Sequence, residues 1–198
     1  MDLFAFEAVV VRPATLADAG AIARIHGAAY ADTYGLSGEP LRAAQEERAA
    51  IWPRVLGGET SPPTVLVAVA GERVLGFGAT HPVRDDWAWE YLTSLYVSAE
   101  MRALGIGALL LRELADRLTA VGRRQLRCTV LSENARARAF YARMGAREAG
   151  QQPGVLGERE VTAIVLDWPR LLERSVAARR ALGARRAPPV AFTPAGAP

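Results

Sequence analysis

YLTSLYVSAEMRALGIG, residues 91–107, is the most informative stretch of this chain. It begins as a buried strand. A loop with glycines at 105 and 107 follows, and residues 108–118 then have the leucine-rich pattern of an amphipathic helix. The start of a helix exposes unpaired backbone N–H groups and the positive end of the helix dipole, which together attract phosphate. Because glycine has no Cβ to hold a pyrophosphate away from those amides, the stretch predicts a phosphorylated cofactor.

Two common phosphate-binding motifs do not fit this loop. The dinucleotide-binding fingerprint needs a third glycine, but position 110 is leucine, and no acidic partner for a ribose stands at the expected distance. A P-loop needs Gly-Lys-Ser/Thr, which is absent. A Gly-x-Gly turn alone is most often only a turn, so a cofactor site needs a second motif.

The second motif is the predicted helix that runs from Asn134 to about Met144. Asn134 is a good N-cap, and Gly145 is a typical helix end. Asn134 and Tyr141 are separated by two helical turns and therefore lie on one face of this helix. The two motifs together favour a site between the glycine loop and this helix.

The remaining pattern predicts a mixed α/β domain built around one sheet. Thr15, with Asp18 three residues later, is expected to cap a first helix. Further helices are expected at 41–56, interrupted by Pro53, and at 108–121, and a turn is expected at 151–157. Strands are predicted at 6–12, 64–70, 73–80, 89–97, 125–131 and 160–168.

Charge is distributed unevenly along the 198 residues, a length that fits one domain. All 24 basic residues are arginine, and residues 169–198 hold six of them with one acid, so this tail carries +5 and the rest of the chain −2. We expect the tail to be basic and partly helical, then Pro/Ala-rich and disordered from residue 187. The charge of the body gives no support to nucleic-acid binding.

The compartment is predicted from cysteine usage and from the absence of targeting signals. A single cysteine excludes an internal disulfide and suits a reducing compartment. The first residues lack the pattern of a signal peptide, and no apolar run approaches the roughly 20 residues that span a bilayer. These features predict a soluble cytoplasmic protein with no membrane partner.

The two motifs in this spacing resemble the GNAT superfamily of acetyl-CoA-dependent N-acetyltransferases. The resemblance rests on Arg102-x-x-Gly105-x-Gly107 after a strand and on the helix from Asn134 to Tyr141, and it extends in element order over about 7–168. It implies one α/β domain over 1–168, with a single mixed, mostly antiparallel sheet, helices on both faces, and a splay between the central strands. It also implies transfer of acetyl from acetyl-CoA to a primary amine by direct attack in a ternary complex, without a metal.

The resemblance further implies roles for particular residues. The pantetheine arm would pair with the backbone of Leu95, Tyr96 and Val97. Asn134 would bind pantetheine or fix the loop, and Tyr141 would protonate the departing thiolate. Amides of the loop would hold the pyrophosphate, with Arg102 adding charge; these belong to Arg102, Ala103, Leu104, Gly105, Ile106, Gly107 and Ala108.

An attacking amine must lose a proton, and Glu90 is the best candidate base, acting directly or through water. In many members of the family the glutamate stands six positions before the residue that matches Val97, which is Tyr91 here. Glu90 stands seven positions before Val97, so strict alternation places the two side chains on opposite faces of the strand. A β-bulge between them would restore Glu90 to the face on which the family has its glutamate. A solvated carboxylate at a strand end is an equal interpretation of Glu90, and Asp85 and Asp86 are alternatives.

Other polar residues are given no catalytic role. His26 is interpreted as a partly exposed helix residue, and His81 as a strand-end histidine that could border the acceptor site. Two histidines this far apart, without clustered acids or cysteines, predict no metal site. Cys128, inside an apolar strand, is expected to be a small packing residue.

Two rival functions stay open at this point. One is a non-catalytic acyl-CoA-binding regulatory domain on the same fold, and the other is a nucleotide-binding interaction protein that uses the loop for a different phosphate. The sequence does not identify the acceptor, a small-molecule or peptide amine, because variable loops line such sites. Many members of the family form homodimers, so a homodimer also stays open.

Overall fold

The computed structural model describes residues 8–58, 64–83, 86–156 and 159–169. The strands are β1 (Val10–Pro13), β2 (Thr64–Ala70), β3 (Arg73–Pro82), β4 (Trp89–Val97), β5 (Gln125–Leu131), β6 (Arg147–Leu156) and β7 (Arg159–Trp168). The helices are α1 (Ala19–Tyr34), α2 (Gly38–Leu56), α3 (Ile106–Ala120) and α4 (Ala135–Arg143). Beyond Pro169, the predicted tail lies outside the described residues, as does Asp85.

The described strands form one sheet in the order β1-β2-β3-β4-β5-β7-β6. Neighbouring strands run antiparallel except for β4 and β5, which run parallel. The predicted single mixed, mostly antiparallel sheet is therefore confirmed. The parallel pair at its centre is connected through α3, as a parallel connection requires.

The sheet opens between these two central strands. Strands β4 and β5 are in register only where residues 89–91 of β4 face residues 125–127 of β5. Beyond Tyr91 and Arg127 β4 and β5 no longer pair with each other, so the facing backbone edges of the two strands border a gap. This divergence confirms the splay that the family resemblance implied.

Helices cover both faces of the sheet, as predicted. On one face α3 packs its fully buried Leu110 and Leu114 into a cluster with β4, β5 and β7. The approach is close, because a Cβ built on Gly78 of β3 would lie 2.7 Å from Leu114 Cδ1. On the other face α1 and α2 bury Ile22 and Trp52 against Phe77 of β3. None of the described helices is both long and apolar enough to cross a membrane.

The predicted contacts between Thr15 and Asp18 are present, and Thr15 caps a short 3-10 turn (Leu16–Asp18) that leads into α1. The Asp18 carboxylate accepts hydrogen bonds from the backbone N–H and the hydroxyl of Thr15, at 2.7 and 3.0 Å. Arg12 of β1 donates two hydrogen bonds to the same carboxylate, at 2.7 and 2.9 Å. These bonds hold the pKa of Asp18 down at about 2, with the Arg12 bond as the largest cause.

Two predictions about local structure were wrong. The expected turn at 151–157 is largely strand, because β6 forms a long hairpin with β7 that overrides the weak local pattern of its Gly, Gln and Pro residues. Helix α2 begins at Gly38 rather than 41, and it continues through Pro53 to Leu56. Buried Trp52 packs against the sheet and anchors this last turn, so the hydrogen bond that proline lacks does not end the helix.

Candidate active site

A β-bulge in β4 lies at the position where the sheet opens. Ala79 of β3 pairs with Ser94, but the next residue, Thr80, pairs with Leu92, which leaves Thr93 without a partner in register. The Thr93 hydroxyl donates to the carbonyl of Ala79 over 3.0 Å. A bulge of this kind inserts one residue and changes which side chains share a face.

The bulge sets the direction of every candidate residue on β4. Leu92 and Leu95, three residues apart, both pack on the α3 face. Tyr96 lies on the opposite face, where its ring centroid is 5.7 Å from that of Phe77. Tyr91 alternates with Leu92 and so shares the face of Tyr96, while Glu90 shares the face of Leu92.

A cleft of about 680 Å³ occupies the gap between β4 and β5 and continues to the loop before α3. It brings together residues that the sequence placed at a cofactor site: Leu95, Tyr96, Val97, Arg102, Ala103, Gly105, Ile106, Gly107, Ala108, Asn134 and Tyr141. Leu104 lies beside the cleft without lining it, and 62% of its surface is exposed. The two motifs of the sequence therefore meet at one cleft.

The loop before α3 has the backbone of an anion site. Ala103 and Gly105 both have positive φ, 65° and 82°. Among the described residues, no backbone carbonyl accepts from the amides of residues 103–108. Successive free amides around left-handed residues form a concavity that binds anions, and the start of α3 adds its dipole. Gly105 is needed for its φ rather than for space, since a Cβ there would meet no atom within 4 Å.

The charge of the cleft is positive. Three arginines line it, Arg102, Arg136 and Arg143, and no carboxylate does among the described lining residues. Arg102 is 26% exposed and donates to Asp32 of α1 over 2.6 Å. This arrangement suits a cofactor with several phosphate charges.

Tyr141 lies where α4 meets the opened end of the sheet. Its ring contacts Phe140 and Trp168 edge-on, with centroid distances of 5.2 and 5.5 Å. Burial raises the pKa of Tyr141 well above its usual range, and burial likewise raises the pKa of the neighbouring Cys128 thiol to about 12. Both groups are therefore protonated at neutral pH, so Tyr141 can donate a proton and Cys128 is a poor nucleophile.

Asn134 has a structural role that the sequence anticipated. Its Oδ1 accepts a hydrogen bond from the backbone N–H of Ala137 over 3.0 Å, which caps α4. The residue also lines the cleft. It therefore fixes the start of the helix that carries Tyr141.

Glu90 does not line the cleft. It is 4% exposed and shares the α3 face with Leu92, at a position where β4 still pairs with β5. Its Oε1 is 4.0 Å from Nε of Arg123, and Oε2 has no partner among the described residues. Burial raises the pKa of Glu90 to about 7 against the opposing charges of Arg123 and His81. The bulge that strict alternation lacked is present, and it brings Glu90 to the face of Val97, but Glu90 lies on the paired segment of β4 outside the cleft. The catalytic role of Glu90 stays a prediction that this position does not favour.

The sequence did not single out a polar contact across the opened sheet. The hydroxyl of Tyr91 lies 2.6 Å from Oγ1 of Thr129 on β5, and Thr129 lines the cleft. The exposed His81 ring stacks on Tyr91 with centroids 5.6 Å apart. The sequence shows that Tyr91 occupies the position of the family's glutamate, which could have drawn attention to it. The sequence could not show that Tyr91 meets Thr129, because that contact depends on the parallel register of β4 and β5.

His26 is half-buried, as expected for a partly exposed helix residue, and it packs within an aromatic cluster. Its Nδ1 accepts a hydrogen bond from Trp52 Nε1 over 3.1 Å, and its ring stacks on Tyr96 at 4.9 Å. Burial, together with the charge of Arg48, lowers the pKa of His26 to about 4. It is a neutral packing residue on the α1 side of the cleft.

Comparison with known proteins agrees with this geometry. The model of the Acetyltransferase (GNAT) family matches residues 28–146. Thialysine N-epsilon-acetyltransferase of Bos taurus is 33% identical over 86 residues, which are 42% of this chain and 51% of that protein. The chain thus spans about half the length of that curated relative.

Solved structures of acetyltransferases share the fold. The ribosomal-protein-alanine N-acetyltransferase of Brucella melitensis superimposes with a TM-score of 0.64 at 26% identity, covering 80% of this chain and 98% of that one. The PaiA N-acetyltransferase of Thermoplasma acidophilum, solved in complex with coenzyme A, gives a TM-score of 0.66 at 17% identity, covering 81% and 98%.

Proposed function

This chain belongs to the GNAT family of acetyltransferases, and we propose that it transfers an acetyl group from acetyl-CoA to a primary amine by direct attack in a ternary complex. The observation that carries the proposal is the cleft, which joins the opened edge of β4, the free amides of the loop before α3, and Tyr141. A cofactor with a pyrophosphate at one end and a thioester at the other fits that sequence of groups.

Acetyl-CoA would lie along the opened edge of β4. The pantetheine arm would pair with the backbone of Leu95, Tyr96 and Val97, at the end of β4 that is not in register with β5. The pyrophosphate would bind the amides of residues 102–108, and Arg102 would add charge. Leu104 takes part through its backbone only, since its side chain points away from the cleft.

The chemical step forms one bond and breaks another at the opened end of the sheet. The amine nitrogen attacks the thioester carbonyl, the C–S bond breaks, and the thiolate takes a proton from Tyr141. A high pKa keeps that proton on Tyr141 until the thiolate develops. Tyr141 is thus the proposed general acid, and Asn134 positions it by capping α4.

The acceptor is proposed from the relatives. One is named for the epsilon amine of an amino acid, thialysine, and another for the alanine of a ribosomal protein. We propose that the acceptor is an aliphatic primary amine of one of these two kinds. We place the reaction in the cytoplasm, because a lone buried cysteine suits a reducing compartment.

The test is a panel of amines, each incubated with the purified protein and acetyl-CoA. The panel contains thialysine, lysine and a short peptide that begins with alanine. We expect release of CoA thiol and a product heavier by one acetyl group with at least one amine, and a large loss of both with Tyr141→Phe. Tight acetyl-CoA binding without turnover of any amine would instead support the non-catalytic acyl-CoA-binding domain.

A further inference from the structure

We infer that the proton of the acceptor amine leaves through the paired hydroxyls of Tyr91 and Thr129 toward the imidazole of His81, without Glu90. This inference rests on the proposed function, because it names the residues that complete the same reaction. The carrying observation is the 2.6 Å hydrogen bond between Tyr91 and Thr129. It spans β4 and β5 on the side of the sheet away from α3.

This hydrogen bond lies where β4 and β5 stop pairing, which is where the proposed thioester would meet the amine. Tyr91 is the last residue of β4 that pairs with β5, and Thr129 is the second residue of β5 beyond the paired segment. Thr129 lines the cleft while Tyr91 lies behind it, so the pair connects the opened end of the sheet to the face of Tyr91.

Neighbouring residues of β5 separate this path from the general acid. Cys128 and Thr129 alternate, so they point to opposite faces of the sheet. Cys128 packs in the cluster that includes Tyr141, whereas Thr129 bonds to Tyr91. A thiolate that leaves on one side and an amine that attacks from the other would each meet a hydroxyl on its own side.

His81 can complete the path at the surface. Its Nδ1 lies 2.9 Å from the carbonyl oxygen of Pro82, and because a carbonyl only accepts, Nδ1 carries the proton. In the neutral ring Nε2 therefore holds a lone pair that can accept a proton. The ring stacks on Tyr91 rather than bonding to it, so water is required between them.

The protons balance over one turnover. The acceptor arrives as an ammonium and loses two protons before it becomes an amide, while the thiolate gains one proton from Tyr141. The first proton passes through the hydroxyl pair and water to Nε2 of His81 and then to solvent. The second follows the same path, and Tyr141 regains its proton from solvent, so one proton is released in total.

Charged groups around this path come from three strands. Arg127 of β5 is held by two hydrogen bonds to Asp167 of β7, at 2.7 and 2.8 Å, so its charge is compensated. Glu90 of β4 lies on the opposite face, close enough for the charge of His81 to lower its pKa slightly against burial. The exposed Asp86 lies in the loop between β3 and β4.

The test compares Tyr91→Phe, Thr129→Val and His81→Gln with wild type, using the amine of the panel that has the highest kcat/KM. Thr162→Val, on an exposed position of β7, is the matched control. We expect each of the three variants to lose at least tenfold in kcat/KM at pH 7, with acetyl-CoA affinity unchanged within about twofold. We expect the loss to shrink as the pH rises through the pKa of that amine, because the amine then arrives without its extra proton. A merely structural role would not give this pH dependence.

Several outcomes would overturn the inference. A pH-independent loss assigns Tyr91 and Thr129 to packing, and an unchanged kcat/KM removes them altogether. If Tyr91→Phe loses kcat/KM and His81→Gln keeps it, His81 is not part of the path. If Glu90→Gln is inactive while it binds acetyl-CoA normally, Glu90 is the base after all. If the wild-type protein binds acetyl-CoA but acetylates none of the amines, the proposed function fails together with this inference. If wild type acetylates an amine and the variants behave otherwise than expected, only the inference fails.

Discussion

Arg102 donates to Asp32 across 2.6 Å and so ties the loop before α3 to helix α1. The pair is partly exposed and contributes little to folding by itself. Its importance is positional, because the same guanidinium lines the cleft beside the free amides of the loop. Asp32 therefore competes with any phosphate for Arg102.

That competition leads to opposite predictions for the two residues. Arg102→Ala removes a charge-assisted hydrogen bond and should weaken acetyl-CoA binding about 10-fold, a loss of about 1.4 kcal/mol. Asp32→Asn removes the competitor and should leave the affinity equal or up to about threefold tighter. Calorimetric titration of both variants checks the pair. Equal weakening in both would mean that the ion pair holds the loop in shape.

The two loop glycines are predicted to differ. Gly105→Ala forces a side chain into a φ of +82° and should cost about 1–2 kcal/mol of unfolding free energy, and it should also weaken acetyl-CoA binding. Gly107→Ala is the matched control, since its Cβ would make only ordinary contacts with Phe140 and Val97, and alanine favours a helix. Urea unfolding of both variants measures the difference. Equal losses would contradict the role of backbone conformation at Gly105.

Tyr141→Phe should separate chemistry from binding. The ring keeps its contacts with Phe140 and Trp168, so acetyl-CoA affinity should stay within about twofold. Loss of the proton donor should lower kcat about 100-fold, in the range typical of a positioned acid. Single-turnover release of CoA thiol is the measurement. A fall in affinity with kcat retained would show that Tyr141 shapes the pocket only.

Glu90 should make the protein less stable as the pH rises. Its folded pKa of about 7 lies above the ordinary 4.5, so the folded state binds more protons than the unfolded state between these values. Stability from this group is present below about pH 4.5 and falls until about pH 7, by an amount on the order of 3 kcal/mol.

Glu90→Gln is the variant that isolates this effect. It should be more stable than wild type at pH 8 and close to it at pH 5, while it still acetylates the amine. The exposed Glu148→Gln, whose carboxylate pairs with Arg138 at the surface, is the control and should show no such pH dependence. Chemical unfolding at both pH values gives the comparison. A pH-independent difference for Glu90→Gln would contradict the raised pKa.

Local pattern was sufficient for much of the fold. Strands β2, β4 and β5 begin and end at the residues that their apolar patterns predicted, and the Thr15–Asp18 capping contacts form as expected. These elements are stabilised by contacts that the sequence makes visible, namely alternation, helix caps and turn residues. The predicted cofactor residues also converge on one cleft, because the loop and α4 both adjoin the gap between β4 and β5.

What the sequence could not predict depends on pairing between distant strands. The bulge at Thr93 is defined by the register of β3 against β4, and it reverses the face of Glu90 relative to Val97. Strand β6 has little pattern of its own and exists through its hairpin with β7. The Tyr91–Thr129 contact needs both the bulge and the parallel register of β5, so neither residue signals it alone.

The most direct test of the account is calorimetric titration of the purified protein with acetyl-CoA, CoA and ADP. Binding of acetyl-CoA and CoA at one site per chain, with ADP at least 100-fold weaker and Gly105→Glu abolishing all three, is the predicted result. A Gly105→Glu variant that stays folded and binds acetyl-CoA as wild type does would contradict it. ADP binding as tight as that of acetyl-CoA would also contradict it, because the pantetheine arm would then contribute nothing to the affinity through β4.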